Sequence, residues 1–453
     1  MPRRQPLDAW TEQVVDAFPA LSRPQATVLA LYSFGMILAQ RCGLNCVVAA
    51  LVPLLKVGFH TLRSRLQEFY QPAAAKSGTQ RQELDVTTCF APLLAWVLKG
   101  WPSKRLALAL DATSLGAVFT VLSISVVYRG SAIPVAWKIL PANVAHAWKP
   151  EWLALLEAFS QRVSPGWTVV VMTDRGLYAR WLYRAIVALG WHPLMRITRC
   201  GKFRRQGGKV GVPVHRFVPK PGRQWQGRGM AFPKKPEKRL ECTLLACWEE
   251  GYDEPWFVVT DLAPEQAESL WYGMRAWIEH GYKLLKSAGW HWDQTRMTDC
   301  DRAERLWLVL AVATRYVLAV GGDFEAGPEV PVETIPELAP AATGGTAGTK
   351  SSSRPRAARR PQPEPSAPRL RTSRTKLGSP KPEPSAPRLR ASGTKERLVS
   401  VFRQGLAALL TALILGHALP RPHWRPEPWL ELRAEIEISQ GQPSTPIPIN
   451  PSQ

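Results

Sequence analysis

The chain has 453 residues, 45% of them hydrophobic, which is enough for a substantial core and for two or three domains. Its formal charge of +22 and pI near 10.0 exclude an acidic or neutral scaffold and point to a polyanionic partner. Seven scattered cysteines, odd in number and without CxxC pairs, argue against a disulfide framework or a structural zinc site and fit buried free thiols in a reducing cytoplasm.

Residues 1–100 read as helical. The opening MPRRQPLDAW is basic and polar and lacks the apolar run of a signal peptide. Apolar residues recur at three and four spacing through 25–40, 44–56 and 58–70. The pair 44–55 and 57–70, with Arg63 and Arg65 expected to be exposed on the second helix, permits a helix-turn-helix reader of DNA, although most short helix pairs are only packing units. A polar linker at 73–83 and a helix at 89–99 lead into the next domain.

From Arg105 the period changes to that of strands. LALALDAT is an apolar run ending in Asp111, followed by strands at 118–130 and 132–140. A helix at 150–163, a buried-type strand at 169–172 ending at Asp174, a helix at 177–189 and a strand at 191–198 complete the order. Three strands, a helix, a strand, a helix and a strand is the ribonuclease-H-like order, an α/β fold. Adjacent parallel strands there place Asp111 and Asp174 side by side at their carboxyl ends. Asp-Ala-Thr is also good turn chemistry, so Asp111 alone has a structural reading too.

Residues 200–262 interrupt that pattern as a basic, β-rich insertion. Residues 201–240 hold twelve Lys/Arg and one Glu. Arg204, Arg205, Lys209, Arg216, Lys234, Lys235, Lys238 and Arg239 are expected to face DNA phosphates, with a solvated basic loop as the alternative.

The stretch 270–288, LWYGMRAWIEHGYKLLKSA, organises the rest. On one α-helix Tyr272, Arg275, Glu279 and Lys286 fall within an arc of about 60°. One face then carries a single carboxylate among cationic and hydroxyl donors. That set suits a metal ion held by the carboxylate beside a phosphate held by the cations. An amphipathic helix with a salt-bridged polar face is the structural alternative. His280, next to Glu279, points about 100° away and reads as structural. Glu268 is the fallback acid, off the cationic row; His291, Arg296 and Asp299 are near the site only in sequence.

Tyr-x2-Arg-x3-Glu-x6-Lys resembles the signature of a large group of bacterial insertion-sequence transposases of the DDE cut-and-paste kind, and Asp-Arg-Gly after an apolar strand resembles that family's second-acid block. The resemblance covers about residues 40–322. It implies that Asp111, Asp174 and Glu279 form a triad binding two Mg²⁺ ions, with Mn²⁺ as a substitute, for DNA phosphodiester cleavage and strand transfer. Oxygen ligands favour those ions over zinc. It assigns Tyr272, Arg275 and Lys286 to the phosphate at the cleaved end. It assigns Trp256, in Trp-Phe-Val-Val-Thr, to stacking on a base flipped out near the transposon end, where an aromatic plane contributes roughly 1–3 kcal/mol per base. A core role is the competing reading for Trp256, and Trp225 is a weaker candidate. The implied partners are double-stranded DNA at terminal inverted repeats, target DNA and a second copy of the chain, in a nucleoid-associated bacterial cytoplasmic setting without a membrane. Two other readings stay open: an inactivated element that acts as a DNA-binding regulator, and a metal-dependent nuclease of the same fold.

A helix at 304–321 closes the core; Arg315 interrupts its apolar run, and the apolar stretch 405–419 is about fifteen residues, short of the roughly 20 needed to span a membrane. Residues 350–397 hold fourteen Lys/Arg, and PEPSAPRLR occurs at 363–371 and again at 382–390. Such a segment has too few large apolar residues for a core and is expected to be disordered. A last helix at 396–419 needs a partner, either the catalytic domain or a second copy. The expected organisation is therefore a helical DNA-binding domain at 1–100, a first core part at 101–199, the insertion at 200–262, a second core part at 263–324, a linker at 325–395 and a C-terminal helix and tail at 396–453.

Overall fold

The computed structural model describes residues 5–79, 81–142, 148–160, 162–234, 236–327 and 399–429. The repeated linker from 328, Lys235, residues 396–398 and the Pro-rich end from 430 lie outside the described residues. Five helices open the chain: α1 Gln5–Ala17, α2 Arg23–Ala39, α3 Leu44–Leu55, α4 Phe59–Glu68 and α5 Thr87–Leu98. Ser22 starts α2 through a capping box with Gln25, satisfying end groups that the helix leaves open. Gly35 lets α3 approach α2 closely; a Cβ there would lie 2.6 Å from Val47. Lys56, in the left-handed region at φ 55, ends α3 and turns the chain into α4. Arg65 is exposed, but Arg63 is only half so, because it donates to Asn45 and Gln67.

Among the described residues ten strands form one sheet: β1 Arg105–Leu115, β2 Phe119–Tyr128, β3 Ser131–Pro141, β4 Thr168–Thr173, β5 His192–Arg196, β6 Lys202–Arg205, β7 Val212–Pro213, β8 Arg223–Ala231, β9 Leu240–Trp248 and β10 Trp256–Thr260. Their order is β3-β2-β1-β4-β5-β10-β9-β8-β6-β7. The first three are antiparallel, and β1, β4 and β5 are parallel, with α6 Trp148–Ser160 and α7 Arg180–Ala188 as crossovers. The β3-β2-β1-β4-β5 half is the ribonuclease-H-like arrangement that the element order anticipates. Burial explains its continuous apolar strands: β2 and the start of β1 are covered on both faces. The basic segment after β5 is β-rich and continues the same sheet, because β10 pairs antiparallel with β5.

The stretch expected to be one α-helix at 270–288 is three kinds of helix in succession. It begins as a 3₁₀ segment, Ser269–Ala276, becomes α8, Trp277–Lys283, and ends as a π turn, Leu284–Ala288. Gly281 seats α8 on the sheet, since a Cβ there would press to 3.1 Å against Ala132.

The closing helix α9, Cys300–Ala326, is longer than its expected 304–321 and passes the expected linker start at 325. Glu325 still belongs to it, paired with Arg129, and Gly327 ends it at φ 71. Although α9 is long and apolar enough to cross a membrane, 94% of its most apolar window is buried inside the protein. The last helix, α10 Val401–Leu415, packs on α9 where Gly405 and Gly321 meet. After it the chain runs back over the core, and Trp424 is buried against Trp101, Tyr128 and Arg315. Of the seven free cysteines, Cys42, Cys89, Cys242 and Cys247 are buried as expected, whereas Cys46 and Cys200 are exposed.

Candidate active site

The parallel ladder between β1 and β4 ends at the pair Leu110↔Thr173. Asp111 and Asp174 each follow that last pair by one residue, so the sheet itself sets them side by side. Strand β1 does not end at its acid, as the sequence suggests; it continues to Leu115 because β2 still pairs with it. Each aspartate has one oxygen fixed by backbone. Asp111 Oδ1 accepts from the Ala112 N–H at 2.8 Å, and Asp174 Oδ1 from the Leu177 N–H at 2.8 Å.

The other oxygens turn toward Arg275, at the end of the 3₁₀ segment. Its Nη2 lies 3.1 Å from Asp111 Oδ2 and 4.0 Å from Asp174 Oδ2, and its Nη1 donates to Glu279 Oε1 at 2.6 Å. Three carboxylates from three separate elements thus meet one guanidinium, whose side chain is 7% exposed while that of Glu279 is 45% exposed. Burial pushes the Asp111 carboxyl up to about 6; Arg275 and the Ala112 N–H oppose this, and Asp174 and Glu279 add to it. Burial also works against the charge on Arg275, but Asp111, with Tyr272, Glu279 and Asp174, outweighs it and raises its pKa. Removing one partner of such a buried pair costs about 3–5 kcal/mol, because the other charge is left uncompensated.

Lys286, on the π turn, donates to Thr113 Oγ1 and Ser114 O, both at 2.6 Å, on the far side of Asp111 along β1. Burial holds it below the usual lysine range, with Asp111 and Asp293 opposing. Tyr272 is buried and donates to the Thr173 carbonyl at 3.2 Å, next to Asp174. It shares a face with Arg275 because side chains three apart eclipse in a 3₁₀ helix.

Sequence reasoning missed Tyr282. Its hydroxyl donates to the Asp111 carbonyl at 2.9 Å and is 2.8 Å from Ser123 Oγ, tying α8 to β1 and β2 under the acid. A signal existed: at 100° per residue, Tyr282 falls about 20° outside the arc holding Tyr272, Arg275, Glu279 and Lys286. His280 donates from Nδ1 to Gly130 O at 2.9 Å, a structural contact away from the acids.

Trp256 is 7% exposed, with Tyr252 and Tyr272 edge-on to its ring at 5.2 and 5.7 Å. In this conformation it is the wall behind Tyr272. Trp225 is 8% exposed and lies in the insertion against Phe203 and Phe217, with the Arg205 guanidinium 5.2 Å from its ring. Arg204 is half-buried on β6, and Arg205 and Lys234 are exposed.

Residues 102–315, which include all three acids and the whole 3₁₀–α–π segment, match the family model described as the transposase DDE domain. Among solved structures, the chain is similar to the piggyBac transposase synaptic complex with hairpin DNA, determined by cryo-EM. The identity is 8%, the match covers 68% of this chain and 73% of that one, and the TM-score is 0.32. No curated protein matches.

Proposed function

We propose that the chain is a DNA transposase of the insertion-sequence cut-and-paste kind, which cleaves DNA at the element's ends and joins them to a target. The observation that carries this reading is the convergence of Asp111, Asp174 and Glu279 on one cation. The match of residues 102–315 to a transposase DDE domain supports it.

The donor chemistry fits Mg²⁺ or Mn²⁺. All three candidate ligands are carboxylate oxygens, the kind those ions prefer, and the guanidinium stands in for the positive charge that they are arranged around. Among the described residues, no group of three or more acids, histidines or cysteines is drawn closely enough together to hold an ion as it stands. Asp111, Asp174 and Glu279 would hold two ions once the guanidinium yields. Divalent metal bound there supplies activation of water or a 3′-hydroxyl and stabilisation of the leaving oxygen.

The remaining work belongs to the chain. Tyr272, Arg275 and Lys286 hold the backbone phosphate at the cleaved end, so that it meets the acids in a fixed orientation. The backbone N–H groups of Ala112 and Leu177 keep the aspartates from rotating away. Trp256 takes an unpaired base after Tyr252 lifts from its ring, and Arg204, Arg205, Lys234 and Lys235 bind phosphates of the duplex beyond the site. The partners are double-stranded DNA at terminal inverted repeats, target DNA and a second copy of the chain.

The test is excision of the matching element from a plasmid with Mg²⁺, comparing wild type with Asp174→Asn. The reading predicts excision by wild type, and loss of excision with end binding kept in the variant. Tight end binding without excision by wild type contradicts it in favour of a binding-only regulator. Cleavage without joining contradicts it in favour of a nuclease.

A further inference from the structure

We propose that Arg275 gates the metal site: its guanidinium fills the acid cluster in the metal-free protein, and a divalent cation binds only as that guanidinium leaves. The inference rests on the reading of Asp111, Asp174 and Glu279 as metal ligands. It adds a second role for Arg275 before its role toward phosphate.

Three observations carry it. First, the guanidinium touches the very atoms an ion would take. Both aspartates spend Oδ1 on a backbone N–H and present Oδ2 to Arg275 Nη2, at 3.1 and 4.0 Å. Mg²⁺ demands oxygens at about 2.0–2.1 Å in near-octahedral order, so an ion held by both Oδ2 atoms would crowd Nη2, which lies against the same two atoms. Second, Arg275 cannot make room by losing its proton, because a guanidinium stays charged in proteins. It must move as a cation and needs another anion at its destination; the phosphate of a DNA end provides one.

Third, the element that carries it has the geometry of a hinge. The 3₁₀ run Ser269–Ala276 is eight residues long, whereas such runs seldom exceed about three or four and mid-helix ones often mark hinges. With α8 fixed, relaxing Arg275 and Ala276 toward α geometry turns Arg275 by about 20° per residue relative to α8. Arg275, the next-to-last residue of that run, thereby shifts relative to Glu279, which stays fixed on α8.

The consequence is coupling. Metal-free protein spends part of its affinity for divalent cation on displacing Arg275, so apparent affinity is reduced by the fraction of molecules in which the cluster is open. DNA that engages Arg275 raises that fraction, and by linkage bound metal strengthens the grip on DNA by the same factor.

The test is Mn²⁺ titration of the full chain without DNA, reading free Mn²⁺ by electron paramagnetic resonance. The proteins are wild type, Arg275→Met, Arg275→Lys, and Arg275→Met combined with Asp111→Asn. The gate predicts that Arg275→Met binds Mn²⁺ about tenfold tighter than wild type, one decade of the opening equilibrium. Arg275→Lys, which keeps the charge but loses the forked reach, falls between them. The added Asp111→Asn removes the gained binding. Equal or weaker binding by Arg275→Met, lost on adding Asp111→Asn, overturns the gate and leaves the acid site standing. Binding that ignores Asp111→Asn overturns the acid site itself. Should Arg275→Met not fold, Arg275→Lys decides alone: tighter binding than wild type supports the gate, and equal or weaker binding overturns it.

Discussion

Gly405→Ala tests how the C-terminal helix is held. A Cβ on Gly405 would lie 1.9 Å from the Val317 carbonyl oxygen, and one on Gly321 would lie 1.9 Å from that of Val401. Ordinary contact needs roughly 1.5 Å more, and the obstacle is helix backbone, which has no rotamer to yield. Overpacking costs about 1–3 kcal/mol where neighbours adjust, so the upper end, about 3 kcal/mol, applies here. That amounts to a factor of roughly 100 in the docking equilibrium of α10. The strain can be relieved by α10 lifting from α9, which leaves the sheet intact. Hydrogen exchange read by mass spectrometry should show 401–415 and the segment around Trp424 losing protection, while β1, β4 and α9 keep theirs. Wild-type protection over 401–415 in Gly405→Ala would refute the crossing geometry.

Trp424→Ala removes the buried ring packed on Trp101, Tyr128 and Arg315 and should cost about 3–5 kcal/mol in a denaturant melt. Tyr282→Phe deletes the hydroxyl shared by Ser123 and the Asp111 carbonyl; it should destabilise by about 1–2 kcal/mol in thermal unfolding and leave the fold unchanged. Lys234→Ala, at an exposed cation of the insertion, should weaken duplex binding equally across sequences. In a salt titration of binding it should lower the slope by about one ion.

The β3-β2-β1-β4-β5 half of the sheet was legible because its apolar strands are bounded by turns. Asp111 and Asp174 were placed together from strand order alone, and the register Leu110↔Thr173 shows how that order works. The residue types along 270–288 were legible from spacing. The change from 3₁₀ to α to π was not, because it depends on what each turn meets: Trp271 against Trp429, Gly281 against Ala132 and the Trp290 N–H donating to Leu284 O of the π turn. The pairing of Arg275 with Asp111 spans 164 positions and leaves no local signature. The continuation of the sheet into the basic segment was hidden for the same reason, since it rests on two antiparallel pairs between β10 and β5. The resemblance gives Trp256 a base-stacking role with a core role as the competing reading, and its neighbours in space, Tyr252 and Tyr272, bury it.

The central claim is that Asp111, Asp174 and Glu279 act as one acid set. It is tested most directly by the rate at which the protein nicks a labelled duplex carrying the element's end, with Mg²⁺ present, for wild type and Glu279→Gln. That substitution keeps the shape of the side chain and removes its charge. Losing an outer-shell partner costs up to about 100-fold in metal affinity or activity, so loss of a direct ligand should slow nicking by more than that while end binding stays within about twofold. Nicking by Glu279→Gln at close to the wild-type rate would contradict the account.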